Sequence, residues 1–263
     1  MTGIILYGSF ELAPYSKKYM KILDDAGEKY DLIGWRREEH PEYFGDNVFI
    51  YEGKAAKRFS SVLSKALPAL GYRNYVKKLI RRRKYDKLII LTTQTAVILS
   101  DLLLLRYRKR YIFDYRDKSY EYIKLYGMLI NSIIKGSVDT VISSPWFADV
   151  LTDKKDYILV HNFQDEFLPF MKSECRKKPN GEKIIIGYVG TLRSYEYHKQ
   201  LSDMFGNDER FEFHTYGCGD DADRLNEYAK KYNNIFFYGA YKEKDKYDII
   251  DGFDMMCYNY PYS

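Results

Sequence analysis

The chain has 263 residues, of which 46% are hydrophobic and 30% charged, and its formal net charge is +5. This length allows one large or two medium domains, and the composition is that of a globular protein. Because we find neither an apolar run near the roughly 20 residues that span a bilayer nor a secretory leader, we expect a cytoplasmic protein.

Strand and helix patterns alternate through the first part of the chain. Runs of apolar and β-branched residues predict strands at residues 3–7, 31–35, 47–51, 87–91, 111–114, 140–143 and 157–160. Patterns of helical period predict helices at residues 15–26, 54–84, 95–107, 121–134 and 146–151, the second of them broken near Pro68 and Gly71. Continuous apolar strands that alternate with helices indicate a parallel sheet covered on both faces.

A second α/β pattern follows a polar, proline-containing stretch. Residues 163–182 have the composition of an interdomain linker. After them we predict strands at residues 184–189, 211–216, 235–238 and 255–259, with helices at residues 196–205, 222–232 and 244–250. We therefore expect two Rossmann-like, doubly wound domains, residues 1–162 and 183–263. The second is expected to be incomplete, because such a domain normally has more strand–helix pairs.

The most informative segment reads KIIIGYVGTL, ending at Leu192. It predicts a buried strand, a tight turn at Gly190 and a helix start, which together can present backbone N–H groups to a phosphate. Thr191, Arg193 and Lys199 follow, and Gly217 and Gly239 come after the next two strands. The alternatives are a nucleotide-binding edge and a plain strand–turn–helix with surface cations; three glycine-ended strands favour the first.

A second polar cluster follows the predicted strand at residues 111–114. Asp114, Arg116 and Asp117 lie at its carboxyl end, where ligands of open parallel sheets bind. Such a carboxylate could accept a proton or orient a sugar hydroxyl. The alternative is a structural Asp–Arg pair, with Asp117 or Ser119 capping the next helix.

The predicted helix at residues 54–84 ends in a basic cluster, Arg81, Arg82, Arg83 and Lys84. This cluster is either a solvated helix end or a contact with anionic lipid or a polyprenyl-phosphate. The second interpretation is helped by apolar neighbours at helical spacing, Leu67, Leu70, Val76, Leu79 and Ile80. Nucleic acid is disfavoured as a partner, because no recognisable nucleic-acid-binding module accompanies the cluster.

Several other chemistries lack their motifs. The sequence has no GxxxxGK[ST], HExxH or GxSxG pattern. The three cysteines are widely spaced and the four histidines dispersed, so we expect no disulfide framework, no metal site and no cofactor.

Four passages resemble the glycosyltransferases of GT-B architecture, above all the retaining family 4 and relatives that build bacterial surface polysaccharides. They are DLIGWRRE, FDYRDKSYE, VISSPWFADVL with YILVHN, and IIIGYVGTLRSYEYHKQL with YGCGDDADRL and YGAYKEKDKYDIIDGFDMMCYNY. They occur in the family's order and span nearly the whole chain.

The resemblance implies a metal-independent hexosyltransferase. Its second domain would bind a nucleotide-diphospho-sugar donor, and its first domain a saccharide or polyprenyl-phosphate-linked acceptor. Arg193 and Lys199 would neutralise the diphosphate, and Asp114 or Asp117 would take the acidic strand-end position. The family arginine often directly follows the glycine, where this chain has Thr191.

The family's paired donor-site glutamates lie beyond the last predicted strand, so the resemblance implies a truncated donor domain and weak or absent transfer. A complete enzyme would have roughly 350 to 370 residues. Two alternatives stay open: a non-catalytic nucleotide-sugar-binding subunit, and a UDP-sugar epimerase of similar architecture.

Overall fold

A computed structural model describes residues 1–10, 13–36, 45–53, 62–151, 156–162, 183–192, 194–242 and 245–257. The chain divides into two compact units, Met1–Pro169 and Phe170–Ser263. The predicted linker, residues 163–182, lies outside the described residues.

The first unit contains a parallel sheet of seven strands. They are β1 (Thr2–Leu6), β2 (Tyr30–Trp35), β3 (Val48–Tyr51), β4 (Lys87–Leu91), β5 (Tyr111–Tyr115), β6 (Thr140–Ile142) and β7 (Ile158–Leu159). Their spatial order is β3-β2-β1-β4-β5-β6-β7, so the direction of winding reverses between β1 and β4. Ligands of such sheets bind at the carboxyl ends of the strands near this reversal.

Helices cover both faces of this sheet. They are α1 (Ser16–Asp25), α2 (Val62–Arg83), α3 (Thr93–Ile98), α4 (Lys124–Gly136) and α5 (Trp146–Val150), and a π-helical segment spans Leu102–Arg106. Consecutive strand residues point to opposite faces: Ile4 lies in the core that includes Leu23 of α1, and Ile5 lies in the core that includes Val76 of α2. The strands are therefore apolar on both sides, as predicted.

The predicted break in the long second helix is wrong, because α2 runs through Pro68 and Gly71 without interruption. A side chain at Gly71 would come within 2.2 Å of the Tyr51 hydroxyl, so this glycine leaves room for a ring of β3. Further along α2, Tyr72 and Val76 are fully buried. Burying such side chains contributes roughly 1.5–3 kcal/mol each, which offsets the roughly 3 kcal/mol that proline costs inside a helix.

The second unit is also built on a parallel sheet, which has four strands in the described residues. Its strands are β8 (Ile184–Val189), β9 (Phe211–Tyr216), β10 (Ile235–Gly239) and β11 (Met255–Met256), and its helices are α6 (Tyr195–Phe205), α7 (Ala222–Ala229) and α8 (Lys246–Asp251). The strands are parallel in the order β10-β9-β8-β11, so the winding reverses between β8 and β11. The turn at Gly190 thus lies next to a second switch point.

Candidate functional site

At the carboxyl end of β5, Asp114 and Arg116 form a buried ion pair. Arg116 Nε lies 2.6 Å from Asp114 Oδ1, and the two side chains are at most 2% exposed. The Tyr19 hydroxyl donates to Asp114 Oδ2 at 2.6 Å. Burial raises the pKa of Asp114, while Arg116 and the Tyr19 hydrogen bond oppose that rise. The geometry of Asp114 fits the structural alternative, since both of its oxygens already contact other side chains.

Arg116 also joins three segments that carry the family resemblance. Its Nη1 donates to the Val160 carbonyl at 2.5 Å and to Asn162 Oδ1 at 3.0 Å. Ser143 Oγ donates to the Arg116 carbonyl at 3.1 Å. The ends of β5, β6 and β7 are therefore held together through one arginine.

Asp117 is placed differently from Asp114. It is exposed and makes no hydrogen bond or ion pair with a described residue. The prediction that Asp117 or Ser119 caps the next helix is wrong. That helix, α4, begins only at Lys124 and has no side-chain cap. Ser119 Oγ instead lies 2.7 Å from Thr93 Oγ1, in the first residue of α3. Asp117 and two hydroxyls thus occupy the carboxyl edge next to the switch point.

Thr92, which directly follows β4, has a backbone conformation that favours glycine. Its φ is 74° and its ψ 152°. Its N–H donates to the Asp114 carbonyl at 3.0 Å, and its hydroxyl lies 3.1 Å from Thr95 Oγ1. Strained backbone of this kind concentrates at functional sites, although it carries no function by itself.

In the second unit, two glycines after β9 allow the loops that follow β8 and β9 to pack against each other. A side chain at Gly217 would lie 1.9 Å from the Gly190 carbonyl, and one at Gly219 would lie 2.2 Å from the Leu192 carbonyl. Gly190 and Gly239 have φ of +159° and +76° and are not crowded in this way. The sequence predicts that the turn at Gly190 presents its backbone N–H groups to a phosphate. The Gly190 N–H, however, donates to the Tyr216 carbonyl at 3.0 Å and is therefore already bonded. Thr191 is exposed, and its N–H bonds to no described residue.

The N-terminus of α6, beyond this turn, already holds an anionic oxygen. The Tyr195 N–H donates to Asp221 Oδ2 at 3.1 Å. Arg224 stacks its guanidinium 3.6 Å from the centroid of the Tyr195 ring, beside the same helix end. Sequence reasoning missed both residues. An aspartate just before a predicted helix was the available signal, but its contact with α6 depends on how two loops pack.

Lys199 lies one turn further along α6, in an ion pair. Its Nζ is 2.7 Å from Asp203 Oδ2 and 5.0 Å from the centre of the Tyr228 ring. The hydroxyls of Tyr228 and Tyr232 donate to the other Asp203 oxygen, each at 2.6 Å. Lys199, Tyr228 and Tyr232 together hold the pKa of Asp203 well below its usual range. Arg193, the other predicted cation, lies outside the described residues.

Beneath the turn, His198 is buried on the sheet side of α6. It is 6% exposed, and its ring meets the Tyr188 ring edge-on at a centroid distance of 4.6 Å. Burial lowers its pKa, so the imidazole is neutral at pH 7.

One residue of the basic end of α2 is bonded within the first unit, and the others are exposed. Arg83 donates to both oxygens of buried Asp31, at 2.7 and 3.0 Å. Arg81 and Arg82 are exposed and pair with no described residue, and Lys84 adopts a φ of 56° just past the helix end. Of the predicted apolar neighbours, Val76, Leu79 and Ile80 belong to the core, whereas Leu67 and Leu70 are exposed on α2. Every helix in the described ranges is too short or too polar to cross a lipid bilayer.

Comparisons with known proteins support the architecture. No protein-family model matches the sequence, and no curated protein matches it. Among solved structures, sucrose-phosphate synthase from Thermosynechococcus elongatus is similar with a TM-score of 0.63 and 11% identity, over 92% of this chain and 70% of that one. The lipopolysaccharide outer core galactosyltransferase WaaB gives a TM-score of 0.62 and 12% identity, over 96% and 71%.

A third match is an epimerase. UDP-GlcNAc 2-epimerase from Neisseria meningitidis, bound to UDP-GlcNAc, has a TM-score of 0.58 and 10% identity, over 97% of this chain and 76% of that one. Similarity at these identities shows the fold. The predicted class, α/β with two Rossmann-like parallel sheets as in GT-B proteins, is therefore confirmed.

Proposed function

We propose that this protein is a glycosyltransferase of the family 4 type, which uses a nucleotide-diphospho-sugar in bacterial surface polysaccharide synthesis. The observation that carries the proposal is the N-terminus of α6, which opens beyond the Gly190 turn at the carboxyl edge of the second sheet and binds the Asp221 carboxylate. A helix end that holds one oxygen anion can hold another, and a diphosphate brings more charge than a carboxylate.

On this proposal the donor diphosphate displaces Asp221 from the Tyr195 N–H. Arg224, beside that helix end, and the exposed Thr191 N–H then supply further donors, and Arg193 and Lys199 remain candidate ligands. For Lys199 this requires breaking its pair with Asp203. Charge that develops on the departing nucleotide is stabilised by these fixed groups, and the reaction needs no metal ion.

The acceptor site is assigned to the carboxyl edge of the first sheet. Asp117 is the exposed carboxylate there, and it would orient or deprotonate an acceptor hydroxyl. Asp114 would act through Arg116 by fixing the strand ends. The acceptor is a saccharide or a polyprenyl-phosphate-linked sugar, and transfer with retention is the outcome that the family resemblance favours.

A product assay tests this function. The chain is incubated with UDP-glucose, UDP-galactose or UDP-GlcNAc, with and without a polyprenyl-phosphate-linked acceptor, and the products are identified by mass spectrometry. We expect release of UDP together with an acceptor that is heavier by one hexose, or by one N-acetylhexosamine when UDP-GlcNAc is the donor. Release of UDP without a heavier acceptor, or no release from any donor, would count against transfer.

The second candidate function is that of a UDP-sugar epimerase, which the fold similarity to UDP-GlcNAc 2-epimerase supports. An epimerase needs no acceptor and yields a free or UDP-linked epimer of the donor sugar. Appearance of that epimer in acceptor-free reactions would replace the transferase assignment. Nucleotide binding without either product would instead identify a non-catalytic subunit.

A further inference from the structure

His198 is a buried, ionisable side chain at the candidate donor site that the proposed transfer step does not use. It lies in the first turn of α6, close behind Tyr195, whose N–H bonds to Asp221. The residue is 6% exposed, and its Nδ1 is buried without a hydrogen-bond partner among the described residues. A buried ring nitrogen without a partner costs free energy, so its place at this helix end needs a physical reason.

The His198 ring is enclosed by aromatic side chains and is close to one carboxylate. It contacts the Tyr188 ring of β8 at a centroid distance of 4.6 Å and the Tyr197 ring of α6 at 5.7 Å. The Tyr188 hydroxyl donates to the Thr191 carbonyl, so it is already bonded. Asp221, from the turn before α7, is the charged group among the described residues that acts on the imidazole.

The imidazole of His198 can gain a positive charge when more negative charge arrives at this helix end. Burial lowers its pKa, and the Asp221 carboxylate acts against that shift. A diphosphate in the place of Asp221 brings more negative charge and would act against it more strongly. The cations Lys199 and Arg224 contact Asp203 and the Tyr195 ring instead. Protonation of His198 is therefore a way to add a cation beneath a bound diphosphate.

We propose that His198 is a positioning residue that takes up a proton from solvent when a donor diphosphate binds at the N-terminus of α6. The imidazolium then holds the diphosphate at the helix end by charge attraction. This inference rests on the proposed donor site and adds a proton to its binding step. A group whose pKa rises on binding strengthens binding at pH values below the raised pKa, and the gain is lost as the pH rises through that value.

Calorimetric titration of the full chain with sugar nucleotides tests the inference. The ligands are UDP-glucose, GDP-mannose, ADP-glucose and dTDP-glucose, whose diester phosphates keep their charge between about pH 6 and about pH 8, whereas free UDP gains a proton in that range. For a ligand that binds, we expect about fivefold tighter binding at about pH 6 than at about pH 8. Titrations in buffers of different ionisation enthalpy give the proton uptake, which we expect to be roughly half a proton per ligand at about pH 6.5.

Two histidine variants assign the proton. His198→Phe keeps an aromatic ring against Tyr188 but cannot be protonated. It should bind equally at both pH values, with about the wild-type affinity at the higher pH, and should lose the proton uptake. The matched control is His214→Phe on β9, because that ring packs against Phe236 and Phe253. The control should keep the pH dependence of the wild type.

The inference is overturned if the wild type binds a sugar nucleotide without taking up a proton, or if His198→Phe keeps the uptake. The donor site itself stands in both cases, because the ligand is still bound. Failure of all four ligands to bind at either pH overturns the inference and the proposed function together. If His198→Phe does not fold, His198→Gln carries the same test, since its side chain is also uncharged, and the wild-type proton uptake needs no variant.

Discussion

Asp114 and Asp117 lie three positions apart along one strand end, yet their surroundings give them different chemistry. Asp114 is buried between Arg116 and Tyr19, so its oxygens already have partners. Asp117 is exposed at the carboxyl edge, where a substrate hydroxyl can reach it. On the proposed function, the first residue keeps the edge in place and the second contacts the acceptor.

This difference predicts opposite effects of the same substitution. Asp114→Asn leaves the buried Arg116 without a counter-charge, and we expect it to lower the free energy of unfolding by about 3–5 kcal/mol. Asp117→Asn should change stability by less than about 0.5 kcal/mol but lower kcat of sugar transfer by about a hundredfold. Urea unfolding and steady-state kinetics measure the two quantities, with Asp149→Asn, another exposed carboxylate of this unit, as control. A stable Asp114→Asn protein, or full activity of Asp117→Asn, would contradict the assignment.

At the scale of elements, α6 and α7 are joined by a polar cluster rather than by apolar contacts alone. Asp203 accepts hydrogen bonds from Lys199, Tyr228 and Tyr232. Because these bonds favour the carboxylate, the pKa of Asp203 is lower in the folded protein than in the unfolded chain. Its contribution to stability is therefore complete above the unfolded value, about pH 4, and is lost as the pH falls through the folded value.

The cluster predicts an acid-sensitive second unit. Asp203→Asn should reduce hydrogen-exchange protection of the β8 and β9 amides at about pH 6, and the difference from the wild type should shrink at about pH 3, where this carboxylate protonates in the unfolded chain. Exchange rates corrected for their intrinsic pH dependence provide the measurement. A difference that stays constant between the two pH values would show that the carboxylate charge does not stabilise this unit.

The elements also show what the sequence could and could not predict. Strand positions followed from apolar runs, because a strand buried on both faces needs them: β4 at Lys87–Leu91 and β9 at Phe211–Tyr216 have the predicted bounds. The continuity of α2 was not predictable from Pro68, since the burial of its later residues in the tertiary core offsets the local cost of the proline.

For the candidate site, the sequence predicted which residues follow the strands but not where their side chains go. The pairing of Asp114 with Tyr19 joins residues 95 positions apart. The Lys199 side chain turns toward Asp203 on its own helix, and Asp221 reaches α6 from the next loop. Such contacts depend on tertiary packing, which strand and helix periodicity does not encode. The roles of Gly190, Thr191, Gly217 and Gly239 toward a donor remain predictions.

At the scale of the whole molecule, two parallel sheets each have a switch point with polar groups at the carboxyl edge. The first edge offers hydroxyls and the exposed Asp117, whereas the second offers the glycine turns and the N-terminus of α6. The central claim is that the second edge binds a nucleoside diphosphate. Together with an acceptor at the first edge, that binding would make the chain a transferase.

Calorimetric titration of the full chain with UDP, GDP, ADP and dTDP tests this claim most directly. The account predicts saturable binding of at least one of them. Asp221→Ala should strengthen this binding by about fivefold. The Asp221 carboxylate interacts with the N-terminus of α6 by ~1 kcal/mol, and in the variant it no longer competes with the diphosphate for that helix end. Gly190→Val should abolish it, because its φ of +159° disfavours a side chain; Gly27→Val, at a φ of +63° in the first unit, is the matched control and should bind normally. Binding that survives Gly190→Val and weakens with Asp221→Ala, or no binding of any of the four, would contradict the account.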